Sequence, residues 1–429
     1  MTSEVLIFNK RGVVVAADSA MTSSANGDDK RPRYAKTANK IFELSDSGSV
    51  AVAIYSGASV DAVPWELAIK LFRRHIGAGR LKSVNDYSDA LVAFLAANPA
   101  LFPSSALDHV ETNQFEAAAV AVLKWINQLK PGFLDDSTPA AERASAWQTF
   151  APQVDASLTA MGVKAPLTTA GLQSALGAVP TKWEAVVSAS LASMPSLLAA
   201  LAPAQLAEIA HKYRFAFPEL LMGYTGVVVV GYGDTEIFPG YRHQHIYGHV
   251  GRELFVREVK AANIAHHGQS SMIVPLAQKS MIDQFTDGFS FPLWTIINGC
   301  SRQSLERLIN EINSHGIDTT SINTATLIDA VHKDFMHDWA KQNWDENYHP
   351  LMGVLTTLSI EEMAHLAETL LVLQSLKERV TSSSEEVGGP IDVAAITKSE
   401  GLVWIKRKHY FGSELNQRYL ARLTRDVKP

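Results

Sequence analysis

Between Gly12 and Asp18 the chain reads Val13-Val14-Val15-Ala16-Ala17, five small or β-branched apolar residues ending on a carboxylate. A run this short and this uniformly apolar predicts a strand buried on both faces. Its backbone must then be paired on both edges, which commits the chain to a sheet with covered faces. Val5-Leu6-Ile7-Phe8 and the polar turn Asn9-Lys10-Arg11-Gly12 supply the first partner, a hairpin. Asp18 then sits at the end of a buried strand, where a carboxylate has to be paired or hydrogen-bonded. Lys40 opens the next apolar run, Ile41-Phe42-Glu43-Leu44, and is a candidate partner; after a turn at Ser45-Asp46-Ser47-Gly48, Val50–Tyr55 completes a second hairpin. Taken singly, an Asp or Lys in such a place is more often structural than catalytic.

The remainder alternates helical and extended stretches. Val63, Leu67 and Leu71 share a helical face widened by Ile69 and Phe72, with Asp61 as N-cap and Pro64 in the first turn. A second helix covers Tyr87 to about Ala97. From about Asn98 to Pro218 the texture becomes rich in Ala, Leu, Ser and Pro, with helical periodicity in Phe115–Leu129, Ala140–Met161 and Trp183–Met194, punctuated by Pro131, Pro152, Pro166 and Pro195. This predicts a helical insertion. Strands return at Gly226–Tyr232, Glu236–Pro239 and Glu253–Val256, Ser271–Phe285 reads as a helix, and about Asn298–Tyr348 as a polar second insertion. Ser359–Val380 is a helix opened by a capping box of Ser359 and Glu362, and Ile391–Ile396 with Leu402–Ile405 forms a closing hairpin. The order predicts an α+β fold with helices on antiparallel sheets, not a βαβ repeat.

Composition narrows the function. A net charge of -6 argues against a chain whose main task is to coat nucleic acid. The single cysteine, Cys300, excludes a disulfide framework or thiolate zinc cluster within one chain, suits a reducing compartment, and is expected to be buried. No basic start with an apolar segment and no run of about 18 apolar residues is present, so a cytoplasmic protein without a membrane span is expected. His243, His245 and His249 lack an accompanying carboxylate cluster, so solvated or hydrogen-bonded histidines are expected, with no metal and no cofactor; His266-His267 reads the same way. Gly231-Tyr232-Gly233-Asp234 is too short for a dinucleotide fingerprint. Lys406-Arg407-Lys408-His409 reads as a solvated face or an intersubunit contact.

Four elements recur in an order with meaning. Gly12–Ser19 with Thr22 beyond it, Thr2 sixteen residues before Asp18, Asn39-Lys40 before an apolar strand, and Gly57 four residues before Asp61 and the Pro64-Trp65-Glu66 helix start together resemble the N-terminal signature of proteasome β-type subunits and their bacterial homologues. Gly388-Gly389-Pro390-Ile391-Asp392-Val393 resembles the start of their C-terminal sheet. The resemblance spans roughly residues 2–95, 223–290 and 355–412.

That resemblance implies an N-terminal nucleophile (Ntn) hydrolase fold, a four-layer αββα sandwich of antiparallel sheets, here interrupted by a large helical insertion. The implied segments are 2–95, 223–297 and 355–412 for the core, 96–222 and 298–354 for the insertions, and 413–429 for a tail. Removal of Met1 would leave Thr2 with a hydroxyl and a free α-amine, whose pKa of about 7.7–8.0 lets it act as base near neutrality. Lys40 would favour the alkoxide, Asp18 would hold Lys40 charged and oriented, and the Gly57 N–H would receive the oxyanion. Ser270, Ser384 and Glu385 fall at the family's supporting positions, and Thr22 and Tyr55 at its substrate-binding ones. Gln269 or Ser270 stands for the supporting serine, Ser384 or Glu385 for the late aspartate, and Val387 for the last serine, so the proton relay is altered. The implied activity is cleavage of peptide amide bonds through a Thr2 acyl-enzyme; the altered relay leaves open a catalytically silent scaffold or a non-peptide amidase. The implied partners are further copies of the chain in a ring or spiral and a peptide or protein substrate, with any ATPase partner left open.

Overall fold

In a computed structural model, the described residues are 3–23, 33–35, 37–46, 48–178, 182–317, 319, 322–381, 388–408 and 416–417. The fold is mixed α+β with antiparallel sheets. Two compact units form: residues 1–55, 230–240 and 262–429 make the first, and 56–229 with 241–261 the second. The helices Trp65–Ile76 and Val84–Ala96 therefore cluster with the helical insertion rather than with the N-terminal strands.

The strands in chain order are β1 (Ser3–Asn9), β2 (Gly12–Ala17), β3 (Met21–Ser23), β4 (Arg33–Ala35), β5 (Ile41–Glu43), β6 (Val50–Tyr55), β7 (Ser59–Val60), β8 (Val63–Pro64), β9 (Thr225–Gly231), β10 (Gly240–Val250), β11 (Glu253–Asn263), β12 (Ser271–Ala277), β13 (Asp392–Thr397) and β14 (Gly401–Lys406). In the first unit β12-β1-β2-β13-β14 lie side by side, and the pairs are antiparallel. The two-sided apolarity of β1 and β2 is explained by their central place. One face, carrying Val5, Ile7, Val14, Ala16, Val393 and Ala395, is covered by the helix Ile360–Thr381 through Met363, Ala367, Leu370 and Leu371. The β5–β6 hairpin supplies neighbours to β2 and β14. The helix starts with the expected capping box: Ser359 N–H donates to Glu362 and Glu362 N–H to Ser359 Oγ.

Ser271–Ala277 is a strand, not the helix expected there; a helix begins only at Ser280. Pairing with β1 at seven positions outweighs local periodicity. Pro275 is tolerated because β12 is an edge strand. Glu236–Pro239 forms no strand. Cys300 is exposed on the helix Phe291–Ser314, not buried.

In the second unit β9, β10 and β11 lie side by side, and the helices Ser104–Leu129, Ala140–Met161, Lys182–Ser190 and Pro203–Ala216 enclose one apolar core. Pro152 lies inside a continuous helix rather than ending it. Within this body Arg214, fully buried, bonds to Glu111 (3.1 Å), His211 Nδ1 (2.9 Å) and Gln114 (3.3 Å). The His211 ring meets Phe115 and Trp183.

Burial, with smaller contributions from Arg214 and Lys182, pushes the His211 pKa down to about 3. An unfolded imidazole takes its proton near pH 6.5, so the unfolded state binds more protons between these values. The expected outcome is a loss of stability as pH falls from 6.5 towards 3, by up to about 1.4 kcal/mol per pH unit from this one group. Urea unfolding of the wild type and of His211→Gln at several pH values checks it; the variant should show a shallower slope over that window.

Candidate functional site

The antiparallel register of β1 and β2 pairs Glu4 with Ala17, which brings Ser3 beside Asp18 at the end of the sheet. The backbone closes this end twice: Asp18 N–H donates to Ser3 O (3.1 Å), and Ser3 N–H donates to Asp18 Oδ1 (3.0 Å). Lys40, just before β5, donates from Nζ to the same Oδ1 at 2.5 Å. Gly388 N–H donates to Asp18 Oδ2 at 2.9 Å. A second carboxylate, that of Glu4, has Oε1 3.4 Å from Lys40 Nζ. Asp18, Lys40 and Glu4 are all buried.

This arrangement has a clear electrostatic logic. Two carboxylates share one ammonium, and three hydrogen bonds to Asp18 fix its carboxylate in place. The ammonium is thereby fixed at the start of β1, beside the first described residue. Around it, Ser3 Oγ donates to Gln278 O (3.0 Å), Ser19 Oγ to Pro390 O (2.5 Å), and Ser19 N–H to Gly388 O (3.3 Å). Sequence reasoning found Asp18 and Lys40 but missed Glu4, Ser3, Ser19 and Gln278. The alternation of β1 was the available signal for Glu4, an acid within a strand buried on both faces.

Ser270 is not brought to this site. Because β12 runs antiparallel to β1, Ser3 is opposite Ala277 and Asn9 opposite Ser271. Ser270 therefore lies at the far end of the strand, about 20 Å away at ~3.3 Å per residue. Reading this segment as a helix hid the strand direction. Thr2, Ser384 and Glu385 lie outside the described residues. Thr22 falls in β3, paired with Tyr34, and its side chain is likewise outside them. Tyr55 ends β6, buried in the first unit.

Gly57 belongs to the second unit, where it lines an open cleft of about 450 Å³ with Ala58, Tyr224, Thr225, Ile246 and Tyr247. Among the described residues no acceptor takes the Gly57 N–H. Glycine is required here by close approach: a Cβ would meet Thr225 Oγ1 at 2.2 Å, an atom that accepts from Trp65 Nε1 at 2.8 Å. Asp61 does not cap the helix Trp65–Ile76, whose N-cap is Pro64. Asp61 instead adopts φ 45° in the β7–β8 hairpin and accepts from His249 N–H (3.0 Å), with Oδ2 2.7 Å from His249 Nδ1. A buried imidazole competes successfully with solvated helix N–H groups for that carboxylate.

His243 and His245 do share a face of β10, with ring centroids 5.3 Å apart. Burial, then the neighbouring His245, pushes the His243 pKa down to about 4. Among the described residues no group of three or more His, Cys, Asp or Glu could hold a metal ion, and no helix is long and apolar enough to cross a membrane. No protein-family model matches the chain, and no curated protein matches it.

Removing Lys40 leaves Asp18 and Glu4 as neighbouring buried anions, whereas removing the Asp18 charge leaves the Lys40–Glu4 pair. Lys40→Met should therefore destabilise by at least the about 3–5 kcal/mol typical of a broken buried pair, and by more than Asp18→Asn. Equilibrium unfolding in urea at neutral pH checks the order.

Proposed function

We propose that this chain is an N-terminal nucleophile hydrolase of the proteasome β type. The proposed architecture is a four-layer αββα sandwich of antiparallel sheets, and the proposed activity is cleavage of peptide amide bonds. The observation that carries the proposal is the buried Lys40–Asp18 pair, held against Ser3, the residue that follows Thr2 in the chain. An ammonium fixed beside the chain start stabilises a developing alkoxide. It also discourages protonation of a neighbouring α-amine, which keeps that amine available as a base. Glu4 adds a second carboxylate, 3.4 Å from Lys40 Nζ, which helps to fix the lysine in place.

In the proposed reaction the Thr2 α-amine takes the proton from Thr2 Oγ1 as that oxygen bonds to the substrate carbonyl carbon. The carbonyl oxygen becomes an oxyanion, a charge that the sequence resemblance assigns to the Gly57 N–H. The proton then passes to the leaving amine as the amide C–N bond breaks, giving an acyl ester on Thr2. Water, deprotonated by the same amine, attacks that ester and restores the threonine. Peptides or proteins are the proposed substrates, self-association into a ring or spiral the proposed assembly, and the cytoplasm the proposed compartment. A catalytically silent scaffold is the second reading, favoured by the place of Ser270 at the far end of β12 from the ion pair.

Two measurements decide between them. Intact-mass analysis of the purified protein should give the chain less its initiator methionine. An epoxyketone directed at N-terminal threonine should label that protein, and Thr2→Ala should abolish labelling. Active protein that retains Met1 would overturn the mechanism; processed protein that neither labels nor turns over a peptide library would support the silent scaffold.

A further inference from the structure

The helices Phe291–Ser314 and Thr324–Asn343 form an antiparallel hairpin in which neither helix buries a single residue. Helices of 24 and 20 residues draw most of their stability from a covered apolar face, and here Leu305, Ile309, Ile328 and Met336 reach only half burial. The seam is set by Ser301 Oγ 3.0 Å from His332 Nδ1, Asn298 Oδ1 2.9 Å from His332 Nε2, and Arg302 2.8 Å from Asp329. At about 100° per residue, Leu293, Ile297 and Leu308 fall on the same flank of that seam as Leu327, Val331 and Phe335. Leu308 is 55% exposed, Leu327 45%, Val331 44% and Phe335 45%.

We propose that this flank is the contact between two copies of the chain, closing a four-helix bundle. The seam contacts put Ile297 level with Phe335, and Leu308 within about one turn of Leu327. A copy turned over about a two-fold axis parallel to the helices therefore sets its Phe335 on Ile297 and its Leu327 near Leu308, and the reverse contacts follow by symmetry. The five exposed side chains among these, Ile297 being half-buried, offer about 50–100 Å² of apolar surface each, or roughly 400 Å² in all. At the usual non-polar share of an interface that corresponds to about 700 Å² per copy, close to the ~800 Å² of a standard one. The flank also carries Asp334 and Asp338, which disfavour an anionic membrane surface.

Sedimentation velocity of the full chain over a wide concentration range tests this. The wild type should double its mass with concentration. Val331→Asp and Phe335→Asp should weaken that step by roughly tenfold or more, while Glu306→Ala, on the opposite flank, should leave it unchanged. Hydrogen exchange on the wild type guards against misfolded variants: amides of 291–314 and 324–343 should lose protection on dilution. An assembly state that does not change with concentration, doubling that both Asp variants retain with wild-type circular dichroism, or exchange in these helices that is independent of concentration would overturn the proposal.

Discussion

The first unit depends on a buried set of three charges: the carboxylates of Asp18 and Glu4 and the ammonium of Lys40. Burying each ion costs several kcal/mol unless partners replace its water. The partners come from four separate places: β1, the end of β2, the residue before β5, and the Gly388 loop ahead of β13. Strand register and ion pairing therefore enforce one another. A one-residue slip of β1 against β2 would turn Glu4 to the other face and remove Ser3 N–H from Asp18.

A second constraint governs the turn region of the second unit. Ser56, Asp61 and Ala62 all have positive φ without being glycine, a conformation costing of order 1–3 kcal/mol per residue. Two side-chain contacts offset that cost, Asp61 with His249 and Trp65 with Thr225. They also keep Gly57 pressed against Thr225, so its amide stays at the wall of the cleft. A turn held in a costly conformation by buried polar contacts is what presentation of a backbone N–H to a ligand would need. The helical body of the same unit has its own core, centred on Phe115, Trp147, Trp183 and Leu206.

Much of this was legible along the chain because it is local. The two N-terminal hairpins follow from apolar runs separated by short polar turns, and the helix Ala140–Met161 from its periodicity. The Ser359–Glu362 capping box needs only four residues to be recognised. Asp18 and Lys40 stood out because a charge at the end of a buried strand needs a partner. What was misread is non-local. Ser271–Ala277 carries a helix-like pattern that pairing with β1 overrides, and that pairing puts Ser270 at the far end of the strand from the ion pair. Asp61 has the chemistry of a cap, yet a histidine 188 positions away claims it. Cys300 resembles a core residue only if its helix is covered within the chain.

By itself the sequence determined that a buried strand runs into Asp18, that Lys40 stands just ahead of a later apolar strand, and that a long helical stretch separates two strand-rich regions. These depend on neighbours within a few residues, where propensity and periodicity act. The tertiary structure alone decided which end of β12 meets Ser3, that Glu4 joins the ion pair, and that Asp61 turns to His249. Each of those is set by pairing across hundreds of residues, and such pairing leaves no trace in local pattern because its free energy arises only when the distant partners meet.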